Sequence, residues 1–202
     1  MTLITVAGNA GVGKTSLVTA LAASGEFALG LEQHAERPFQ ARFARSLAEG
    51  APRFALGNQV DYLLLRAEQE RALRLDPRPG LVDGGLDLDY FLFTRRFAQL
   101  GYLDAAEFGL CTRLYTFLRQ SLGPPDLILH LSAPVAVIRR RYAARGRPVE
   151  IANLDDLVHL QALLDEWIAT ITACPVLTVD ASRDDFTGPE AMARLLDRIN
   201  AK

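Results

Sequence analysis

The chemistry of this 202-residue chain starts at Lys14. Only Lys14 and Lys202 among its 22 basic residues are lysines, and Lys202 is the last residue. Lys14 stands in Gly8–Thr15, GNAGVGKT, which fits the pattern G-x-x-x-x-G-K-[ST]. Glycines at 8, 11 and 13 let the backbone turn its N–H groups inward around phosphate oxygens, and the helix that follows offers its positive N-terminus to the same anion. Gly8, Asn9, Ala10, Gly11, Val12, Gly13, Lys14, Thr15 and Ser16 are therefore the expected nucleotide-binding residues. Lys14 is of the type that reaches the β and γ phosphates, and the Thr15 hydroxyl is of the type that binds Mg²⁺.

Several other side chains are spaced for chemistry. Asp83, in LVDGG, and Asp180, ending VLTVD, are rival acids for a metal. Gln59 and Arg66, seven residues apart, share one helix face with Tyr62 and Leu63 between them. Arg139, Arg140, Arg141, Arg145 and Arg147 crowd into nine residues, a cluster that repels itself unless an anion or water screens it. A loop of this kind occurs in kinases, GTPases and motor ATPases alike. With no lysine between 15 and 201, the Asn/Thr-Lys-x-Asp segment that reads guanine in Ras-type GTPases is absent. The chain is also short for a motor ATPase with its extra oligomerisation elements, and a small-molecule kinase is the reading that remains.

The elements that must position these residues follow from periodicity. Apolar runs at Leu3–Ala7, Phe27–Leu31, Leu81–Val82, Leu127–Leu131 and Val176–Val179 alternate with helical stretches. The helices are expected near 14–23, 36–48, 56–75, 87–99, 104–121, 135–144, 153–171 and 189–200. Strands alternating with crossovers of this length predict an α/β fold with a central five-stranded parallel sheet wrapped by helices. No long polar linker divides the chain, so residues 1–202 read as one domain.

Composition excludes other classes. With 22 basic against 24 acidic residues the chain has no net basic field to recruit nucleic acid or anionic lipid. No apolar run approaches the length needed to span a bilayer. The start, MTLITVAGNAG, lacks the charged region of a signal peptide, so a cytoplasmic protein is expected. Cys111 and Cys174 have no metal-ligand spacing and are expected to be small buried hydrophobes.

Four segments together resemble the deoxynucleoside kinase family, the deoxyadenosine, deoxyguanosine and deoxycytidine kinases, over most of the chain. They are Leu31–Phe39 (LEQHAERPF), residues 57–69 (GNQVDYLLLRAEQ), residues 81–93 (LVDGGLDLDYFLF) and Arg139–Glu150 (RRRYAARGRPVE). The resemblance implies a P-loop three-layer fold with an arginine-rich lid at about 141–151. It implies ATP as phosphoryl donor, Mg²⁺, and an acceptor 5′-hydroxyl whose proton passes to Glu32. Gln59 falls on the residue that hydrogen-bonds the nucleobase edge. Arg66 and Asp89 fall on the pair around the exocyclic groups of the base, Phe93 on the stacking aromatic, and Glu150 on the lid contact to the sugar 3′-hydroxyl. Asp83 falls on the family's acid near Mg²⁺, while Arg141, Arg145 and Arg147 would cover the transferring phosphoryl group.

Two departures stand out in the sequence. Gly84 replaces the family's arginine at the reacting phosphate, and Asn58 stands where many members carry a second aromatic. The expectation is a deoxynucleoside 5′-kinase of nucleotide salvage, acting first on deoxyadenosine and then on deoxycytidine or deoxyguanosine; the resemblance also implies a homodimer, which the apolar content of residues 97–122 allows without requiring it. A thymidylate-kinase-type monophosphate kinase is the alternative, and only Arg37, Arg42 and Arg45 would serve its acceptor phosphate. A non-catalytic ATP-binding module is the other.

Overall fold

The computed structural model describes residues 2–25, 27–31, 37–145, 154–183 and 186–201. Among them five parallel strands form one sheet in the order β2-β3-β1-β4-β5: β1 (Leu3–Ala7), β2 (Ala28–Gly30), β3 (Gly80–Asp83), β4 (Leu127–Ser132) and β5 (Val176–Asp180). All five β1 residues are buried, as expected for a central parallel strand covered on both faces. Alternate residues serve opposite faces. Ile4, Val6, Leu127, Leu129 and Leu131 join the core under α1 (Lys14–Ser24), α7 (Val135–Arg145) and α9 (Pro189–Asn200). Ala7 and Ile128 face α8 (Asp156–Thr170), where Leu160, Leu164 and Trp167 pack. A third cluster, with Phe43, Leu63, Tyr90 and Phe97, ties α2 (Pro38–Ala48) and α3 (Ala55–Leu75) to α6 (Ala105–Leu122).

The sheet is the one that the apolar runs predict, and its differences are local. β3 is twice as long as its apolar pair, because it lies between β2 and β1 and pairs with both. Gly80 stands opposite Leu3 and Ala28, and Asp83 opposite Val6. The helix expected at 87–99 is three segments: α4 (Gly85–Leu88), a π-helical turn (Asp89–Thr94) and α5 (Arg95–Gln99). Within that turn the Thr94 hydroxyl lies 3.2 Å from the Asp89 carbonyl, across the widened π ring. Of the two cysteines, Cys111 is buried and Cys174 half-buried.

Candidate active site

The phosphate loop is built largely from main chain. Gly13 sits at φ +114°, and a Cβ there would lie 2.6 Å from the Phe186 ring, so glycine alone fits. Asn9 is fully buried and pins the loop to α8. Its Nδ2 donates to the Leu157 carbonyl at 2.8 Å and to Gln161 Oε1 at 3.1 Å, while its Oδ1 accepts from the Ala10 N–H at 2.8 Å. Lys14 Nζ donates to the Gly8 and Asn9 carbonyls, each at 3.1 Å, which holds the ammonium at the loop. Because β3 pairs with β1, Asp83 ends beside this loop, and Thr15 Oγ1 donates to Asp83 Oδ2 at 2.5 Å. Asp83 is 2% exposed, and its Oδ1 has no hydrogen-bond partner among the described residues. A buried, unpartnered carboxylate oxygen next to a hydroxyl is a hard-oxygen donor set, and it fits Mg²⁺. Asp180 ends β5 instead, separated from β1 by β4, and hydrogen bonds from Ser182 hold its carboxyl below the ordinary aspartate value.

The second half of the site lies between α3 and the π turn. Arg66 is 2% exposed, and its Nε meets Asp89 Oδ2 at 2.6 Å. Its Nη1 donates to Gln69 Oε1 at 3.2 Å, and Gln69 Nε2 donates to the Leu31 carbonyl at 2.7 Å. Two turns before Arg66, the buried Gln59 accepts from Thr94 Oγ1 at 2.7 Å. Tyr62 and Leu63 are buried between them. Asn58, at the same end of α3, is buried with an unpartnered Oδ1 among the described residues. Phe93 is half-buried and packs edge-on against Phe97, with ring centroids 6.5 Å apart. The structure thus gathers Gln59, Arg66 and Asp89 into one buried hydrogen-bonded group.

The arginines sort differently. Arg141 Nη1 donates to the Val12 and Ala181 carbonyls at 3.1 and 2.6 Å, and Nη2 to the Arg183 carbonyl at 2.8 Å, which fastens α7 to the phosphate loop. The Arg145 guanidinium lies 4.9 Å from the Tyr142 ring centroid. Arg37 is paired with Asp61 at 3.3 Å, Arg42 lies 4.3 Å from the Phe54 ring centroid, and Arg45 is exposed. Glu32, Arg147 and Glu150 lie outside the described residues.

Some supporting residues have no sequence signal. Thr94 orients Gln59, and Gln69 links Arg66 to the end of β2. Behind Asp83, Arg119 from α6 donates to Glu70 at 2.9 and 3.0 Å and to Asp87 at 3.0 Å. Glu70 also accepts the Leu86 N–H, and Asp87 accepts from the Tyr115 hydroxyl at 2.8 Å. Burial raises the Asp87 pKa, and burial followed by the Asp87 charge raises that of the Tyr115 phenol. This cluster ties residues 86 and 87, just past Asp83, to α3 and α6. The one hint in the sequence is that Glu70 lies one turn beyond Arg66 on α3.

A deoxynucleoside kinase family model matches residues 4–201. The chain belongs to the deoxynucleoside kinase family. It is 25% identical to a deoxyadenosine/deoxycytidine kinase of Bacillus subtilis, over 98% of this chain and 91% of that protein. It is also 25% identical to a deoxyadenosine kinase of Dictyostelium discoideum, over 96% of this chain and 78% of that one. Two solved structures of deoxyadenosine kinase from M. mycoides share the fold. One, with dCMP and a flexible dCDP bound, has a TM-score of 0.80 at 18% identity, and the other, with dCTP, has 0.79 at 16%. Each covers 99% of this chain and 100% of the solved one. The family makes this chain an ATP-dependent nucleoside kinase, a phosphotransferase. Among the described residues no helix is long and apolar enough to cross a membrane.

Proposed function

We propose that this chain transfers the γ-phosphoryl group of ATP to the 5′-hydroxyl of a deoxyribonucleoside in nucleotide salvage, deoxyadenosine first and then deoxycytidine or deoxyguanosine. The observation that carries the reading is that one short segment, residues 83–89, serves both halves of the site. Its first residue, Asp83, meets Thr15 of the phosphate loop, and its last, Asp89, meets Arg66 on the nucleoside side. The loop amides and Lys14 hold the triphosphate, and the helix α1 N-terminus adds its dipole. Thr15 and Asp83 would hold Mg²⁺, which supplies charge neutralisation across the phosphates. Glu32 takes the proton of the 5′-hydroxyl. Gln59, Arg66 and Asp89 read the base, Phe93 lies against it, and Glu150 contacts the sugar. Arg141, Arg145 and Arg147 belong to the lid that covers the reacting group.

A buried guanidinium paired with a carboxylate offers both donors and acceptors to a base edge, which supports a purine or cytosine over thymine. The two relatives, a deoxyadenosine/deoxycytidine kinase and a deoxyadenosine kinase, support deoxyadenosine and deoxycytidine among the substrates. The chain acts as one cytoplasmic domain in this reading, and the exposed Leu110 and Phe117 of α6 support a homodimer through residues 97–122. Competition decides the substrate order: Mg-ATP with equal concentrations of the four deoxynucleosides, products resolved by chromatography. Deoxyadenosine 5′-monophosphate is expected to lead, and a lead for thymidine monophosphate would overturn the assignment.

A further inference from the structure

Position 84 carries no side chain, and it follows the carboxylate that meets the phosphate loop. Gly84 directly follows Asp83, and its N–H donates to the Val6 carbonyl at 3.0 Å. Its backbone sits at φ +90°, ψ −78°, a conformation that residues with a Cβ rarely adopt. The space above it belongs to Arg66. A Cβ on residue 84 would lie 3.4 Å from Arg66 Nη2 and 3.9 Å from its Cζ. Arg66 Nε meets Asp89 and Nη1 meets Gln69. The Nη2 edge of the fork therefore lies against the residue next to the carboxylate that meets the phosphate loop.

We propose that Arg66 serves the chemistry as well as the base, its Nη2 edge over Gly84 stabilising negative charge on the acceptor 5′-oxygen and the transferring phosphoryl group. This rests on the deoxynucleoside 5′-kinase reading above. In the step, the 5′-hydroxyl oxygen forms a bond to the γ-phosphorus while the bond from that phosphorus to the β–γ bridging oxygen breaks. The bonding pair leaves on ADP, and the hydroxyl proton passes to the general base. Two observations favour Arg66 for this charge. It is the one fully buried arginine or lysine among the described residues, and a charge acts most strongly where water is excluded. It is held before substrate arrives, by Asp89 on one side and by Gln69 and the Leu31 carbonyl on the other, so no reorganisation is needed during the reaction. One guanidinium doing both jobs couples them: a base that displaces Arg66 also slows the chemistry, so discrimination falls on kcat as well as on KM.

The test is kcat and KM of Arg66→Ala with each of the four deoxynucleosides at saturating Mg-ATP, with and without added guanidinium ion. The wild-type protein is measured first, and absence of transfer there would fail the 5′-kinase reading itself rather than this proposal. With transfer in the wild type, kcat of the variant should fall by about a hundredfold for every base, the size of losing one preorganised donor, and guanidinium should restore part of it. A fall of less than about tenfold, with only KM and base preference altered, overturns the proposal. If Arg66→Ala does not fold, Arg66→Lys carries the same readout. Its single ammonium cannot hold Asp89 and reach over Gly84 together, so a kcat loss of about tenfold or more is expected, and a loss below about threefold overturns the proposal.

Discussion

The donor and acceptor halves of this site are built by different means. On the donor side, in the proposed reading, one contiguous octapeptide, Gly8–Thr15, supplies the phosphate cradle, and from elsewhere in the chain Asp83 meets Thr15 and Arg141 meets the Val12 carbonyl. On the acceptor side the working groups are side chains from α3 and the π turn, with Arg66 and Asp89 23 residues apart in sequence. Main-chain amides bind any triphosphate and cannot be exchanged by substitution. Buried side chains can be exchanged one at a time, so in the proposed reading substrate preference resides in α3 and the π turn, while triphosphate binding resides in the loop. The cost of the second design is that its groups depend on one another. Arg66 is 2% exposed and Asp89 6%, and a buried ion pair that loses one partner leaves an uncompensated charge.

Substitutions on each side should separate the halves. The largest effect belongs to the donor side: Lys14→Ala should lower kcat by about a thousandfold with little change in deoxynucleoside KM, measured by initial rates. An equal rise in nucleoside KM would break the division. On the acceptor side Asp89→Ala should destabilise the fold by about 3–5 kcal/mol, read as a lowered denaturant midpoint, because the Arg66 charge stays buried. Thr94→Val should be milder. It removes one hydrogen bond to Gln59, a loss of about 1 kcal/mol, and should lower kcat/KM for the preferred base by about fivefold with ATP kinetics unchanged.

His130 serves as the smallest effect and as a control outside both halves. It lies on β4 with Nε2 unpartnered among the described residues, and burial holds its pKa below the ordinary 6.5, with the Asp165 charge opposing. Between the folded and unfolded pKa values the unfolded chain binds the proton more readily, so stability is full above pH 6.5 and declines as the pH falls through that value. His130→Leu should flatten that decline in equilibrium unfolding between about pH 5 and 7, with base preference intact.

How much of this was legible in the sequence divides along the same line. The loop is contiguous, and parallel strands buried on both faces read as apolar runs, so the donor side and the sheet follow from pattern. β3 was half hidden because its ends are Gly80 and Asp83, residues placed there by pairing with β1 and β2 rather than by strand propensity. The π turn was not legible, since six residues such as DYFLFT do not distinguish a widened ring from an α-helix. Nor were the Thr94–Gln59 bond and the Glu70–Asp87–Arg119 cluster, whose partners meet only once α3, α4 and α6 have packed. Arg141 shows what spacing alone does not place. Its spacing points to an anion, and the fold seats it on main-chain carbonyls.

The most direct test of the division is the double variant Arg66→Leu with Asp89→Leu, which removes both charges of the buried pair together and leaves neither unpaired. ATP affinity and the kcat/KM ratio of deoxyadenosine to thymidine are measured on the same preparation. The division predicts an ATP Kd within about threefold of wild type and a preference ratio reduced by about tenfold or more. A weakened ATP affinity with the preference ratio intact would contradict it.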